Sequence, residues 1–112
     1  MQYALLAYGR PDPSRDSEPI EDAVAEILAR PQVTGWARLH SDTSATTLRD
    51  SDGDTLLTDG PFIDSKEYLA GLIMIEARNL DEALEIAREL QETRVGGALE
   101  VRPIIECRFR AA

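Results

Sequence analysis

Cysteine, histidine and tryptophan each occur once, and aromatic residues make up only 5% of the chain. One cysteine, Cys107, excludes an intramolecular disulfide framework and is compatible with a reducing compartment. With His40 as the one histidine, no Cys/His cluster has zinc spacing. Long hydrophobic runs are missing too. The longest useful one, 69–75, is far too short to span a bilayer. Met1 to Leu6 lacks a charged leader and meets Gly9-Arg10-Pro11 too early for a signal peptide, so a cytoplasmic setting is expected. Positive charge is scarce: 12 Lys and Arg stand against 21 Asp and Glu, for a net charge of −9 without a basic stripe. Such a surface repels phosphate backbones and anionic lipid, which argues against nucleic-acid and membrane binding. Gly-rich phosphate loops, dinucleotide spacing and Ser-centred elbows are absent, so no cofactor or metal is expected.

What the sequence does contain is regular. At 112 residues, with 43% hydrophobic and 29% charged residues, it is a single globular domain over 1–112. Residues 2–8 are short, apolar and stopped by Gly9-Arg10-Pro11, which predicts a strand. A polar, Pro-containing loop over 12–17 follows. Ile20, Ala23, Val24, Ile27 and Leu28 then recur at helical spacing over 18–30 until Pro31 stops the helix. Residues 34–40 form a weaker strand pattern. Residues 45–49 and 55–58 predict a hairpin joined through Asp50-Ser51-Asp52-Gly53-Asp54, because Asp-Gly favours tight turns. These aspartates lack the spacing of a calcium loop, since Gly53 comes too early.

The stretch over 69–77 is apolar on both faces and predicts a central strand. A second helix over 80–91 is announced by Asn79 and Glu82 at capping-box spacing, with Leu80, Ala83, Leu84, Ala87 and Leu90 expected as its buried stripe. Residues 99–109 alternate, placing Val101, Ile105, Cys107 and Phe109 on one face, so Cys107 is expected in the core; Pro103 requires an edge or an interrupted ladder.

The element order β-α-β-(β-hairpin)-β-α-β is that of an α+β, ferredoxin-like protomer with an extra hairpin strand. Two helices cover one face of its sheet, yet both faces of the first and central strands are apolar. The free face needs a partner, most simply a second copy, and the expectation is a homodimer enclosing a barrel-like interior.

Specific motifs carry a resemblance. Thr58-Asp59-Gly60-Pro61-Phe62, then Ser65-Lys66-Glu67, Gly71 and the Asn79-Leu80-Asp81-Glu82-Ala83 helix start resemble the signature of the DGPF group of YCII-related proteins. Ala45-Thr46-Thr47-Leu48-Arg49 and Leu99-Glu100-Val101-Arg102-Pro103-Ile104 are similar to that group's flanking strands. The resemblance covers Tyr3, Leu5 and Leu6 and nearly everything over 45–105. It implies a dimeric α/β barrel, and some relatives carry a His–Asp pair in a cleft beside the sheet. It also implies, through relatives encoded beside extracytoplasmic-function sigma factors, a regulatory or stress setting. The first helix here has no histidine, so that dyad is not transferred.

The charged entry to the central strand, Asp59 with Asp64, Lys66 and Glu67, defines the candidate site. Asp59 beside an apolar interior would act as general acid or base; alternatively it accepts backbone N–H groups across the Gly60-Pro61 turn and fixes it. Arg49, Lys66 and Glu67 would line a ligand cleft with it, or form an ion-pair network that orders the loop. Arg102 has the same two readings. His40, without a visible orienting partner, is expected to be a solvated strand-end residue. Two function classes follow: a small-molecule-binding barrel, and a non-catalytic regulatory or interaction module whose loop is purely structural.

Overall fold

In the computed structural model, residues 1–63 and 65–109 are described. The strands are β1 (Gln2–Gly9), β2 (Val33–Arg38), β3 (Thr46–Ser51), β4 (Asp54–Asp59), β5 (Tyr68–Glu76) and β6 (Ala98–Pro103); the helices are α1 (Asp22–Leu28) and α2 (Leu80–Glu92). β2, β5, β1 and β6 form an antiparallel four-stranded sheet in that order, and β3 with β4 forms a separate two-stranded sheet. This is the ferredoxin-like strand order, with the two most apolar strands at its centre.

Alternation along the central strands decides which side is core. Tyr3 lies opposite Ile75, and Leu5 opposite Ile73 and Val101, so these residues share one face. That face is where Leu5 and Ile75 are fully buried and where α1 and α2 pack, through Ile27, Leu28, Ala83, Ile86, Ala87 and Leu90. Each fully buried Leu or Ile contributes about 1.5–3 kcal/mol by leaving water. Asn79 caps α2, its carboxamide oxygen accepting the Glu82 amide at 3.0 Å. Across the two helices, Arg30 holds Glu89 through both guanidinium nitrogens, at 2.5 and 3.0 Å.

Several expectations are corrected. The buried stripe of α2 runs through Ala83, Ile86, Ala87 and Leu90, while Leu80 and Leu84 are exposed at 48% and 39%. The stripe is rotated because α2 sits over β6 and the α1 side of the sheet. α1 is shorter than its apolar pattern: Glu18 and Glu21 are extended, and Pro19 between them leaves an extended entry. The last strand ends at Pro103, with one further bond to β1 from the Ile104 amide to the Gln2 carbonyl at 2.9 Å. Cys107, expected in the core, is therefore exposed beyond it, together with Ile105 and Phe109.

The hairpin turn is as its residues predict: Asp52 and Gly53 both take positive φ, at 50° and 87°, as a two-residue turn between right-twisted strands requires. At the other end of the chain, Arg94 fastens the loop after α2 to the end of β1. Its guanidinium donates to the carbonyls of Tyr8 at 2.6 Å and Ala98 at 3.0 Å, and to Gln91 Oε1 at 3.3 Å. Gly97 makes that approach possible: its φ is +72°, and a Cβ there would stand 2.4 Å from the Tyr8 carbonyl oxygen.

Gly97→Ala is accordingly expected to destabilise by about 2 kcal/mol or more and to lower Tm by roughly 10 °C. Thermal unfolding followed by circular dichroism checks it; an unchanged Tm would show that the loop relaxes without loss.

Candidate functional site

The residues assigned from sequence separate into two places. Asp59 is the last residue of β4, opposite Thr46, and is exposed. The base of the hairpin is closed by other groups: the Gly60 amide donates to the Ala45 carbonyl at 2.8 Å, and Thr47 Oγ1 donates to the Gly60 carbonyl at 2.7 Å. The turn is thus fixed by backbone and a threonine, leaving the Asp59 carboxylate to solvent. Arg49, on β3, places its guanidinium carbon 5.3 Å from the centre of the Phe62 ring. A cation over an aromatic face contributes about 0.5–1 kcal/mol at an exposed site. Arg49 is in this way joined to the loop that contains Asp59, through Phe62. Asp64 lies outside the described residues.

Lys66 and Glu67 belong to the second place, the end of the four-stranded sheet. They are exposed in the segment that leads into Tyr68, which opposes Gly9 at the end of β1. Ser65 Oγ donates to the Glu67 carbonyl. Arg94 stands on the same end; burial pushes its guanidinium pKa down, the Arg15 charge adds to this, and Glu67 opposes it.

Around the corner of this end, the structure assembles a cluster that sequence reasoning did not find. Arg38, at the end of β2, donates to the carbonyls of Glu18 at 2.6 Å and Arg15 at 3.0 Å, docking the short helical turn over 13–17. Asp16 on that turn accepts the Ser41 amide with both oxygens, at 3.0 and 3.2 Å, and lies 3.5 Å from His40 Nδ1. The Ser41 backbone N–H holds the Asp16 carboxyl below the usual carboxylate range; the Ser41 and His40 side chains add to this, against burial. Asp42 keeps one carboxylate oxygen out of water with no partner among the described residues. His40 is solvated, as its strand-end position predicts, with 76% of its side chain exposed. The Asp16 carboxylate is nevertheless its neighbour, and most of the ring remains reachable by a ligand. No local pattern announces this pair, because Asp16 and His40 meet only when the loop folds back under Arg38. Cations at the docked turn and at the ends of β1 and β2 would suit an anionic or hydrogen-bonding ligand, and an imidazole beside a carboxylate has the components of a proton-transfer couple.

Comparison with known proteins now decides the family, because the model of the YCII-related domain matches residues 1–108. The chain belongs to the YCII-related family. It is also 48% identical over 69 residues to an uncharacterized protein of Rhizobium meliloti (strain 1021), a match that covers 61% of this chain and 56% of that one. The chain thus aligns with little more than half the length of this curated relative. In this YCII-related protein the histidine stands two residues beyond β2, outside α1.

A folded-state pKa below the ordinary value gives Asp16 a stabilising contribution that is complete above the ordinary carboxylate range, near 4, and is lost as pH falls through the folded value. Glu89, lowered by its hydrogen bonds to Arg30, has the same sign. Comparing Asp16→Asn with the parent from pH 6 to pH 2 isolates the Asp16 share. The variant is expected to be less stable at pH 6, and the gap is expected to close on acidification. A gap that stays constant with pH would sink the assignment.

Proposed function

We propose that this protein is a homodimeric, small-molecule-binding barrel of the YCII-related family, its two open sheet faces turned toward each other and its ligand held at the charged end of the sheet. One observation carries the reading: among the described residues, the face opposite the helices has no layer over it. Ala4, Leu6 and Tyr8 of β1 lie beside Leu72, Met74 and Leu69 of β5 on that face, half-buried or exposed. A contiguous apolar face of this kind marks an interaction surface. Its polar rim is where Lys66, Glu67, Arg94 and the Asp16–His40 couple gather, which supports ligand recognition at the edge of an apolar interior. In this reading His40, positioned by Asp16, is the proton-transfer group, and Asp59 and Arg49 take part only once a second copy covers the hairpin.

The second reading, a non-catalytic interaction module, draws support from a different observation: the Asp59 carboxylate is exposed and the closure of its turn rests on Gly60 and Thr47. In it the Thr58–Phe62 loop is structural. No helix among the described residues is long and apolar enough to cross a membrane.

Light scattering after gel filtration is expected to give about 25 kDa, twice the 12.4 kDa of the chain; a monomer mass overturns the dimer. A thermal-shift panel of small carboxylates and phosphates is expected to contain compounds that raise Tm by a few degrees, as ligand linkage requires. His40→Asn is expected to abolish that shift with the fold intact. A panel that moves nothing favours the interaction module. Asp59→Asn is expected to weaken the ligand-induced shift, and a shift of parental size would remove Asp59 from the site.

A further inference from the structure

The β3–β4 hairpin is built like an arm. Every residue of β4 is exposed, and in β3 only Thr47 is not. Leu48 and Leu57 are cross-strand partners, so their side chains share one face, and they are 66% and 67% exposed. Phe62 and Ile63, just beyond the arm, are each 67% exposed. A two-stranded hairpin with no layer beneath it is marginal in water. The arm also extends the molecule: the radius of gyration is 15.7 Å, against roughly 13 Å for a compact chain of this length.

The same protomer carries a surface of matching character, the open sheet face with Tyr8 and Leu69 at one end. Because both surfaces belong to one chain, a two-fold axis satisfies them together, each arm meeting the other copy's sheet. Charge selects the same occupant and the same orientation. The arm's tip holds Asp50, Asp52 and Asp54, all exposed. The sheet end next to Tyr8 holds Arg94, bonded to the Tyr8 carbonyl, with Arg10 just past β1 and Arg15 on the docked turn. Glu67 and Asp16 stand at the same end, so its charge is mixed, and the three arginines are the groups there that complement the acidic tip of a leucine-bearing hairpin.

We infer that the β3–β4 arm of each protomer reaches across the two-fold axis and seats its Leu48–Leu57 face on the Tyr8–Leu69 end of the second copy's open sheet, acidic tip toward Arg10, Arg15 and Arg94. Asp59, two residues from Leu57 and on the same face of the arm, thereby reaches a site that one protomer cannot complete alone. This rests on the homodimer proposed above and specifies which element of one copy finishes the site of the other.

Sedimentation of the parent protein comes first: a monomer overturns the dimer and the arm together. With a dimeric parent, Leu48→Lys/Leu57→Lys is expected to weaken self-association by about 100-fold or more with an unchanged far-UV spectrum, since neither leucine belongs to the protomer's core. Leu80→Lys/Leu84→Lys, on the exposed side of α2, is expected to leave association unchanged. Parental association in the arm variant overturns the arm's role and leaves the dimer standing. Should the arm variant not fold, cross-linking decides. In a Cys107→Ser background, Leu57→Cys/Leu69→Cys is expected to form a covalent species of about 25 kDa, twice 12.4 kDa, under oxidation. Neither single-cysteine chain is expected to do so. A double variant that remains at monomer mass on the denaturing gel overturns the inference.

Discussion

A sheet whose central strands are apolar on both sides has two surfaces to remove from water, and this chain supplies helices for one. Tyr3, Leu5, Ile73 and Ile75 disappear beneath α1 and α2, while Ala4, Leu6, Tyr8, Leu72 and Met74 face away from them. The imbalance follows directly from the element order, because both crossovers place their helices on the same side. Much else depends on it: the need for a partner, the value of an arm that would waste apolar surface in a lone protomer, and the place where a ligand would find low dielectric beside charge. In the proposed dimer, an interior enclosed by two such faces would strengthen the hydrogen bonds and ion pairs at its edge.

Most of the fold was legible because it rests on period and punctuation. Alternation in 2–8, the apolar run over 69–77, the Asn79 cap and the Asp52-Gly53 turn are local signals, and local backbone chemistry obeys them. The failures are equally local in origin. Leu80 and Leu84 fit a helical stripe as well as Ile86 does, and only the direction from which the sheet approaches chooses between them. Residues 105–109 keep an alternating pattern yet lie outside the strands of the described residues. Alternation reports a preference for lying between two surfaces; it does not say which molecule provides the second.

The candidate site was legible in part. Arg49, Asp59, Lys66 and Glu67 drew notice as charges around a Gly-Pro turn, but neighbours in sequence separate across a hairpin base: two go with the arm, two with the sheet end. The Asp16–His40 couple was missed because its partners lie in different loops, and their meeting depends on Arg38 gripping two carbonyls of a turn with no hydrophobic pattern. Family membership leaves the site to be read from this chain's own geometry.

The two helices are fastened by different physics. Arg30 and Glu89 meet as opposite charges at the surface, an attraction that ions in solution weaken. Arg94 spends its charge on neutral acceptors, the Tyr8 and Ala98 carbonyls and the Gln91 amide, in a partly buried position that mobile ions reach poorly. Strong brine would therefore remove an exposed attraction worth at most about 1 kcal/mol and leave standing both the apolar packing of Ile27, Leu28 and Ile86 and the helix-to-sheet junction at Arg94. Salt thus acts on this domain at its surface, and the corner that Arg94 closes keeps its shape.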